Sequence, residues 1–401
     1  MNKKWTSGLL FVFFLSILSP GQSQEVSVIS ISVPVRVFDN NGFVSDLSLD
    51  DFTVYEDGMI QKIDALYLVK GNDVARKQAP QNYTPDLKRH FHFIFYMTDF
   101  SPRLDPVFEH FFKNVILPGD SLSVMTPVEI YNLSQRALEN KKPEKIAEEL
   151  RSLVRKDIQM GGSEYRSILS ELKRLIQAIN STNSTEVDMS SSSTMFTLDN
   201  LLERYRDTMI RMEQTRFIDQ AKFIDFARRL KKMGGRQIVF FIYQREFRPE
   251  MNSSILNRLV SEYQDKPNIL AITQELFQLY STTLNVKFEP IVLAFSDASI
   301  LFNLIFMHKD LQTEPGIYMR EKSEDIFDAF SKVAQATGGV VDTSQFPLEG
   351  IKKSVSNSDS YYLLYYTPEF YRKDGKFHKI HVKVKYEREC RVLHRVGYFS
   401  N

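Results

Sequence analysis

Apolar and polar residues alternate with a period of two near both ends of the chain, a pattern that predicts β-strands. Near the N-terminus "VSVISISVPVRVF" alternates in this way, and "FTVYEDG" followed by "IQKIDALYLV" predicts a hairpin that turns at Asp57-Gly58. The chain ends with "YYLLYYTP", "KFHKIHVKVKY" and "RVLHRVGYF", which are rich in β-formers. We predict β segments at 24–70 and 351–401. Neither can bury a good core alone, so we expect them to pair in one all-β, sandwich-like module.

Between these segments, residues 90–350 alternate short apolar runs with stretches of helical spacing. The apolar runs predict strands at 91–98, 121–127, 237–243 and 287–295. Helical spacing predicts helices at 106–115, 142–156, 164–179, 255–263, 269–284 and 324–337. The unbroken run "QIVFFIY" is typical of a strand covered on both faces of a parallel sheet. The alternation predicts an α/β fold, a three-layer doubly wound sheet.

Two stretches interrupt this alternation. Residues 71–89 are polar, contain two prolines and predict a linker. Residues 181–233 predict a helical insertion, which begins with the Ser/Thr-rich run "STNSTEVDMSSSST", expected to be mobile. Helical spacing then continues over 198–233. The apolar stripe of that second part fits either packing on the sheet or binding of a partner.

The balance of charge and the N-terminus bound the environment of the protein. Lys and Arg total 51 against 50 Asp and Glu, so nothing indicates a nucleic-acid partner. Two lysines, the apolar run "LLFVFFLSIL" and the small residues of "SPGQSQ" predict a signal peptide at 1–23, with an anchored or buried helix as the alternative. We expect a secreted or periplasmic protein with no integral membrane segment after signal removal. Cys390 is the single cysteine, so no intramolecular disulfide can form.

Three motifs resemble the bacterial secreted proteins that carry a von Willebrand factor A-related domain, of the acidobacterial type. "LSLDDFTVYEDGMIQKI" at 47–63 is similar to the N-terminal signature of that family. "AQATGGVVDT" at 334–343 is similar to its last helix and glycine turn. "SYYLLYYTP", "DGKFHKIHVKVK" and "RVGYF" within 360–399 are similar to its C-terminal block. The resemblance covers nearly the whole chain after the signal peptide, whereas the central part diverges.

The resemblance implies an α/β domain whose upper edge can hold a divalent cation. In the family, the first strand ends in Asp-x-Ser-x-Ser, a second loop supplies Thr and a third strand ends in Asp. Asp99 and Ser101 match the first two ligands, but Arg103 stands where the second Ser is expected. Ser163 stands for the Thr and is either a ligand or a helix N-cap. Mg²⁺ requires six hard oxygens, so Asp99, Ser101 and Ser163 make an incomplete ligand set.

Two further residues weaken the metal site. Tyr243 ends the run "QIVFFIY", and Gln244 and Arg245 follow it where the third-strand Asp is expected. We therefore predict a degenerate adhesion site that functions without a cofactor, with Mg²⁺ as the minor alternative. Since a guanidinium can replace the charge of a lost ion, we expect Arg103 to pair with Asp99.

The remaining candidate chemistry predicts no enzyme. His90 and His92 share a strand face, which fits packing or metal binding, but no carboxylate cluster adjoins them in the sequence. No Gly-x-Ser-x-Gly, Walker or Gly-x-Gly-x-x-Gly motif occurs. We predict an interaction protein, of adhesion or scaffold type, that binds a protein partner through its upper-edge loops. The alternatives are an envelope hydrolase that uses Asp99, and a purely structural module of an envelope complex. The predicted contact residues are Asp99, Ser101, Arg103, Ser163, Tyr243 and Gln244.

Overall fold

The computed structural model describes residues 29–79, 83–133, 135–182, 197–216, 218–311, 313–385 and 389–400. The predicted signal peptide and residues 183–194 of the Ser/Thr-rich run lie outside the described residues. The strands are β1 (Ile31–Asp39), β2 (Gly42–Phe43), β3 (Phe52–Glu56), β4 (Met59–Gln61), β5 (Ile63–Lys70), β6 (Asp73–Gln78), β7 (Arg89–Tyr96), β8 (Ser121–Met125), β9 (Ile130–Leu133), β10 (Arg236–Gln244), β11 (Phe247–Met251), β12 (Ile300–Met307), β13 (Ile317–Glu321), β14 (Val341–Asp342), β15 (Ser360–Tyr366), β16 (Phe377–Val384), β17 (Arg391–His394) and β18 (Gly397–Phe399). The helices are α1 (Asp105–Asn114), α2 (Gln135–Asn140), α3 (Pro143–Gly161), α4 (Ser163–Ser181), α5 (Leu198–Gln214), α6 (Gln220–Met233), α7 (Ser253–Glu262), α8 (Pro267–Ser281), α9 (Glu289–Asp297), α10 (Glu324–Ala336) and α11 (Pro347–Asp359).

The centre of the protein is a mixed α/β unit built on one six-stranded sheet. Its strand order is β14-β12-β10-β7-β8-β9, in which the first five strands are parallel and β9 runs antiparallel at the edge. Every residue of β12 is buried, as are all but the first residue of β10. Such continuous burial requires cover on both faces, which accounts for the unbroken apolar runs of these strands.

Helices supply that cover and form a core on each face of the sheet. On one face α1, α3 and α11 pack around Phe91, Phe93 and Phe240, whose rings contact Phe111 of α1. On the other face α6, α9 and α10 pack on the alternate residues of β10 and β12. The sheet and these helices therefore form three layers, as expected for a chain that alternates strands with helices.

Strands from the two ends of the chain pair with each other in an all-β module. β1 lies between β15 and β17 in one sheet, and β16 pairs with β3 in a second sheet. Inward side chains of both sheets, among them Val33, Val54, Tyr362 and Val382, form one shared hydrophobic core. This pairing brings together segments more than 300 positions apart, because neither can bury its apolar face alone.

A third group of helices packs beside the sheet. Helices α4, α5, α7 and α8 enclose their own core with Met251 of β11. The predicted insertion at 181–233 is therefore wrong as a single unit: α5 belongs to this helical group, whereas α6 covers the sheet. Helix α5 ends before this second helix begins, and Asp219 caps α6 by accepting hydrogen bonds from the backbone N–H groups of Ala221 and Lys222.

Three other predictions about segments are also wrong. Residues 287–295, predicted as a strand, fall largely in α9, and the strand lies at β12 instead. The predicted linker at 71–89 contains β6, which pairs with β5. The predicted C-terminal β segment begins with most of α11 rather than with a strand. In each case the pairing and packing of neighbouring elements determined the secondary structure, and the local preference of a short segment did not.

Candidate functional site

The sheet has one topological switch point, between β7 and β10. The chain passes from β7 to β8 on one side and later returns to β10 on the other side. Open α/β sheets bind ligands in the crevice outside the carboxyl ends of the strands at such a point. Asp99 follows β7 here, Gln244 ends β10, and Lys309 follows β12. These residues define the upper edge of the sheet.

Gln244 fixes the backbone that presents Asp99. Its Oε1 accepts hydrogen bonds from the backbone N–H of Asp99 at 3.1 Å and of Thr98 at 3.3 Å. The Gln244 side chain is buried, so it is not available to a partner, contrary to the prediction from the sequence. It acts instead as a rigid support for the loop after β7.

Two cations converge on the Asp99 carboxylate. Lys309 Nζ lies 2.7 Å from Asp99 Oδ2, and Arg166 of α4 lies 3.3 Å from Oδ1. Lys309 also donates to Thr98 Oγ1 at 2.7 Å and lies over the Tyr165 ring at 4.4 Å. Partial burial raises the pKa of Asp99, but the charges and hydrogen bonds of Lys309 and Arg166 outweigh burial and leave the pKa below its usual value.

Close approach of α4 to the end of β7 makes this arrangement possible. A Cβ atom at Gly162 would lie 2.0 Å from the Thr98 carbonyl oxygen, so only glycine fits at the start of α4. Arg166, one turn further along, donates to the same carbonyl and reaches Asp99. Ser163 is exposed in the first turn of α4 and does not cap it, because the cap position is Gly162, with no side-chain hydrogen bond.

The predicted pairing of Arg103 with Asp99 is wrong. The exposed Arg103 side chain turns away towards the start of α11, where its guanidinium lies 5.7 Å from the centre of the Phe346 ring and donates to the Gln345 carbonyl at 3.5 Å. Ser101 is half-buried, and its hydroxyl accepts a hydrogen bond from the Arg103 backbone at 3.4 Å. Tyr243 is fully buried, and its hydroxyl donates to the Ser323 carbonyl, so it offers no contact surface.

These residues do not fit a divalent cation. Asp99, the one carboxylate among the predicted ligands, already faces two cationic side chains, so a metal ion beside it would meet net positive charge. Of the other predicted ligands, Ser101 accepts a hydrogen bond from the Arg103 backbone and Ser163 is exposed to solvent. No group of three or more His, Cys, Asp or Glu side chains among the described residues is arranged to hold a metal ion. The ammonium of Lys309 takes the charge role that the sequence assigned to Arg103.

A second charged cluster lies behind the first and was not predicted. Arg216, in the connection between α5 and α6, is 3% exposed and contacts Glu246 at 2.8 Å, Asp325 at 2.7 Å and Glu213 at 3.2 Å. Burial raises the pKa of Glu246 to about 7, although the Arg216 charge opposes this shift. Glu246 and Arg216 line one end of a cleft of about 420 Å³ that also reaches Thr98 and Gln244. These acids are scattered in the sequence, so no local motif could reveal them.

The histidines of β7 have structural partners. His92 is buried, with Nδ1 2.6 Å from Ser123 Oγ and Nε2 2.9 Å from Gln237 Oε1. Because Gln237 Oε1 can only accept, His92 Nε2 carries the proton and Nδ1 accepts from Ser123. Burial lowers the pKa of His92 to about 4, which makes it a weak base at neutral pH. The pair fits a polar link between strands, as does the matching contact of His90 with Ser121 at 2.6 Å.

Across the described residues, no helix combines the length and the apolar character that crossing a bilayer requires. Comparison of the chain with protein-family models, with curated proteins and with solved structures finds no match.

Proposed function

We propose that this protein is an exported, metal-independent interaction protein whose von Willebrand factor A-like domain binds a protein partner at its upper edge. The observation that carries the proposal is the neutralisation of Asp99 by Lys309 and Arg166 at the switch point. A carboxylate held in this way needs no ion to keep its loop in place. The edge keeps a rigid, presented surface, and no group of three or more His, Cys, Asp or Glu side chains in the described part of the chain is arranged to hold a catalytic metal ion.

The accessible part of the upper edge is smaller than the sequence predicts. Of the six predicted contact residues, Tyr243 and Gln244 are buried and Asp99 is paired with two cations. Ser101, Arg103 and Ser163 retain exposed surface. Phe346, 60% exposed, joins them beneath the Arg103 guanidinium. Arginine and aromatic side chains carry a large share of the binding energy in protein interfaces. We therefore place the partner contact at the pair Arg103 and Phe346.

Site-specific photocrosslinking tests this contact. The photoreactive residue p-benzoyl-phenylalanine would replace Phe346 in one variant and Phe370, a 65% exposed residue of the β module, in a matched control. Incubation with envelope extract of the source organism should give a discrete crosslinked protein from position 346 alone. Adding Arg103→Glu should reduce its yield about tenfold, as expected for an interface hot spot.

The same experiment distinguishes a metal-free binding site from the divalent-cation site that the resemblance implies. The crosslinked product should form equally in EDTA and in MgCl₂, because Asp99 is already paired with two cations. A yield that requires Mg²⁺, or an equal yield from positions 346 and 370, would overturn the proposal. Export is tested separately, by N-terminal sequencing of the mature protein, which should begin near residue 24.

A further inference from the structure

A long groove runs along α6 on the sheet face opposite α1 and α3. Three adjoining cavities of about 420, 590 and 350 Å³ form it. Ile94 and Met125 line both the first and the second cavity, while Ile130 and Phe226 line both the second and the third. The groove is therefore continuous from the carboxyl end of the strands to the start of β8.

The groove occupies a position where a doubly wound sheet would carry one more helix. On this face α6, α9 and α10 cover β10 and β12, but no described helix covers β8 and β9. The opposite face of β8 is buried in the core with α1 and α3 through Leu122 and Val124, and Tyr131 and Leu133 of β9 pack against that core. Met125 and Ile130 therefore stay open on the groove side, and Ile130 is 45% exposed.

The dimensions and chemistry of the groove suit a helix. The 14 residues of α6 span about 21 Å at 1.5 Å per residue, which sets the length of the wall. Phe226, Arg229 and Met233 lie on one side of α6 at helical spacing and face the groove. Met233 is 50% exposed, so the wall as well as the floor leaves apolar surface uncovered.

The charge of the groove favours an acidic occupant. Its middle part is lined by four cations, Lys222, Arg228, Arg229 and Lys232, and by one carboxylate, Asp225. Asp225 pairs with Arg228 at 2.9 Å and Lys222 with Asp219 at 3.8 Å, whereas Arg229 and Lys232 have no ion pair within the described ranges. Glu164 and Asp219 line the end of the groove near Thr98, so the excess positive charge lies away from that end.

We infer that this groove binds an amphipathic helix of a partner protein, with an apolar ridge against Met125, Ile130 and Met233 and carboxylates beside Arg229 and Lys232. The docked helix would lie against α6 at the 8–10 Å spacing of packed helices and complete the outer layer over β8 and β9. This surface lies on the other side of the sheet from Arg103 and Phe346, so the inference does not depend on the upper-edge contact.

Synthetic peptides test the inference on the intact protein. A fluorescent helix of about 14 residues, with leucines on one side and glutamates beside them, should bind in an anisotropy titration. The same peptide with lysines in place of the glutamates, and a version interrupted by a central proline, should each bind at least about tenfold more weakly. Equal binding of the acidic and basic peptides, or of the helical and proline peptides, would refute the inference, as would no binding at all.

Variants of the protein locate the binding. Arg229→Glu with Lys232→Glu should weaken the acidic peptide about tenfold or more and strengthen the basic one. Lys156→Glu with Lys353→Glu, on exposed faces of α3 and α11, changes the net charge equally and should leave the titration unchanged. A photoreactive residue at position 130 should crosslink the bound acidic peptide, and one at Val260 on α7, 42% exposed, should not. An equal loss of binding in both charge variants would mean non-specific attraction and would contradict the site.

Discussion

Two charged clusters lie near the carboxyl edge of the same sheet, and they are built in opposite ways. At the surface, one carboxylate, Asp99, faces two cations, and its side chain is 37% exposed. In the interior, one cation, Arg216, faces three carboxylates and is 3% exposed. Water can screen the charges of the first cluster, whereas the buried charges of the second are stabilised by direct contacts with one another. The exposed cluster therefore fixes the loop after β7 at the surface, and the buried one holds elements together.

The buried cluster joins parts of the chain that share no sheet. Arg216 connects the α5–α6 junction to Glu246 after β10 and to Asp325 at the start of α10. Arg248 continues the contacts from Glu213 to Glu250. These ion pairs link the helical group of α4, α5, α7 and α8 to the central sheet.

Removing Arg216 should give the largest effect on stability. Arg216→Met leaves Glu213, Glu246 and Asp325 without their shared partner, and breaking a buried ion pair in this way costs about 3–5 kcal/mol. The free energy of unfolding from urea denaturation measures this loss. Arg211→Met, at a 53% exposed arginine that pairs with Glu171, is the matched control and should change the stability by less than about 1 kcal/mol. Similar losses in the two variants would remove the distinction between buried and exposed clusters.

Glu246→Gln should alter how stability depends on pH. The pKa of Glu246 is raised to about 7 by burial, above its usual 4.5, so the folded protein binds this proton more tightly than the unfolded chain. Its contribution to stability is therefore greatest below about pH 4.5 and is lost as the pH rises through 7.

Urea denaturation at about pH 5 and about pH 8 measures this dependence. The free energy of unfolding of Glu246→Gln, taken relative to that of the wild type, should be about 1–3 kcal/mol higher at the higher pH than at the lower one. A variant whose stability difference from the wild type is the same at both pH values would show that Glu246 does not titrate in this range.

Lys309→Met should have a moderate effect at the exposed cluster. Asp99 would keep only its ion pair with Arg166, so the pKa of Asp99 should rise and the free energy of unfolding at neutral pH should fall. The fall should be only about 1 kcal/mol, because solvent screens the charge of the partly exposed carboxylate. A depressed carboxyl pKa stabilises the fold above the unfolded value of 3.8 and loses that effect as the pH falls through the folded pKa. A carbon-13 NMR titration of the Asp99 carboxyl measures the shift, and an unchanged midpoint would show that Lys309 does not set it.

Arg103→Ala should have the smallest effect on stability. The Arg103 side chain is exposed and contacts Phe346 and the Gln345 carbonyl, so the free energy of unfolding should change by less than about 0.5 kcal/mol. Thermal unfolding measures it, and Lys309→Met is the comparison. A loss as large as that of Lys309→Met would restore the pairing of Arg103 with Asp99 that the sequence predicted.

The sequence anticipated the position of Asp99 but not its partners. An apolar run that ends in Asp-x-Ser places Asp99 at the carboxyl edge of a buried strand, as the structure shows. Arg103 is the partner expected from the sequence because it stands where the resemblance places a serine ligand, whereas the chain from Ser101 to Leu104 forms a tight turn that directs Arg103 towards α11. Lys309 and Arg166 come from a strand end and a helix remote in sequence, which no local pattern could connect to Asp99.

By itself, the sequence determined the strongly periodic helices, the buried strands β7 and β10, and the requirement that the two terminal β segments pair with each other. These follow from apolar spacing and from the size of a core, which are properties of the composition and order of residues. Only the tertiary structure decided that α9 is a helix, that α6 and α5 serve different cores, and which charges meet. Burial and ion pairing depend on distances in space, and residues far apart in the chain set those distances.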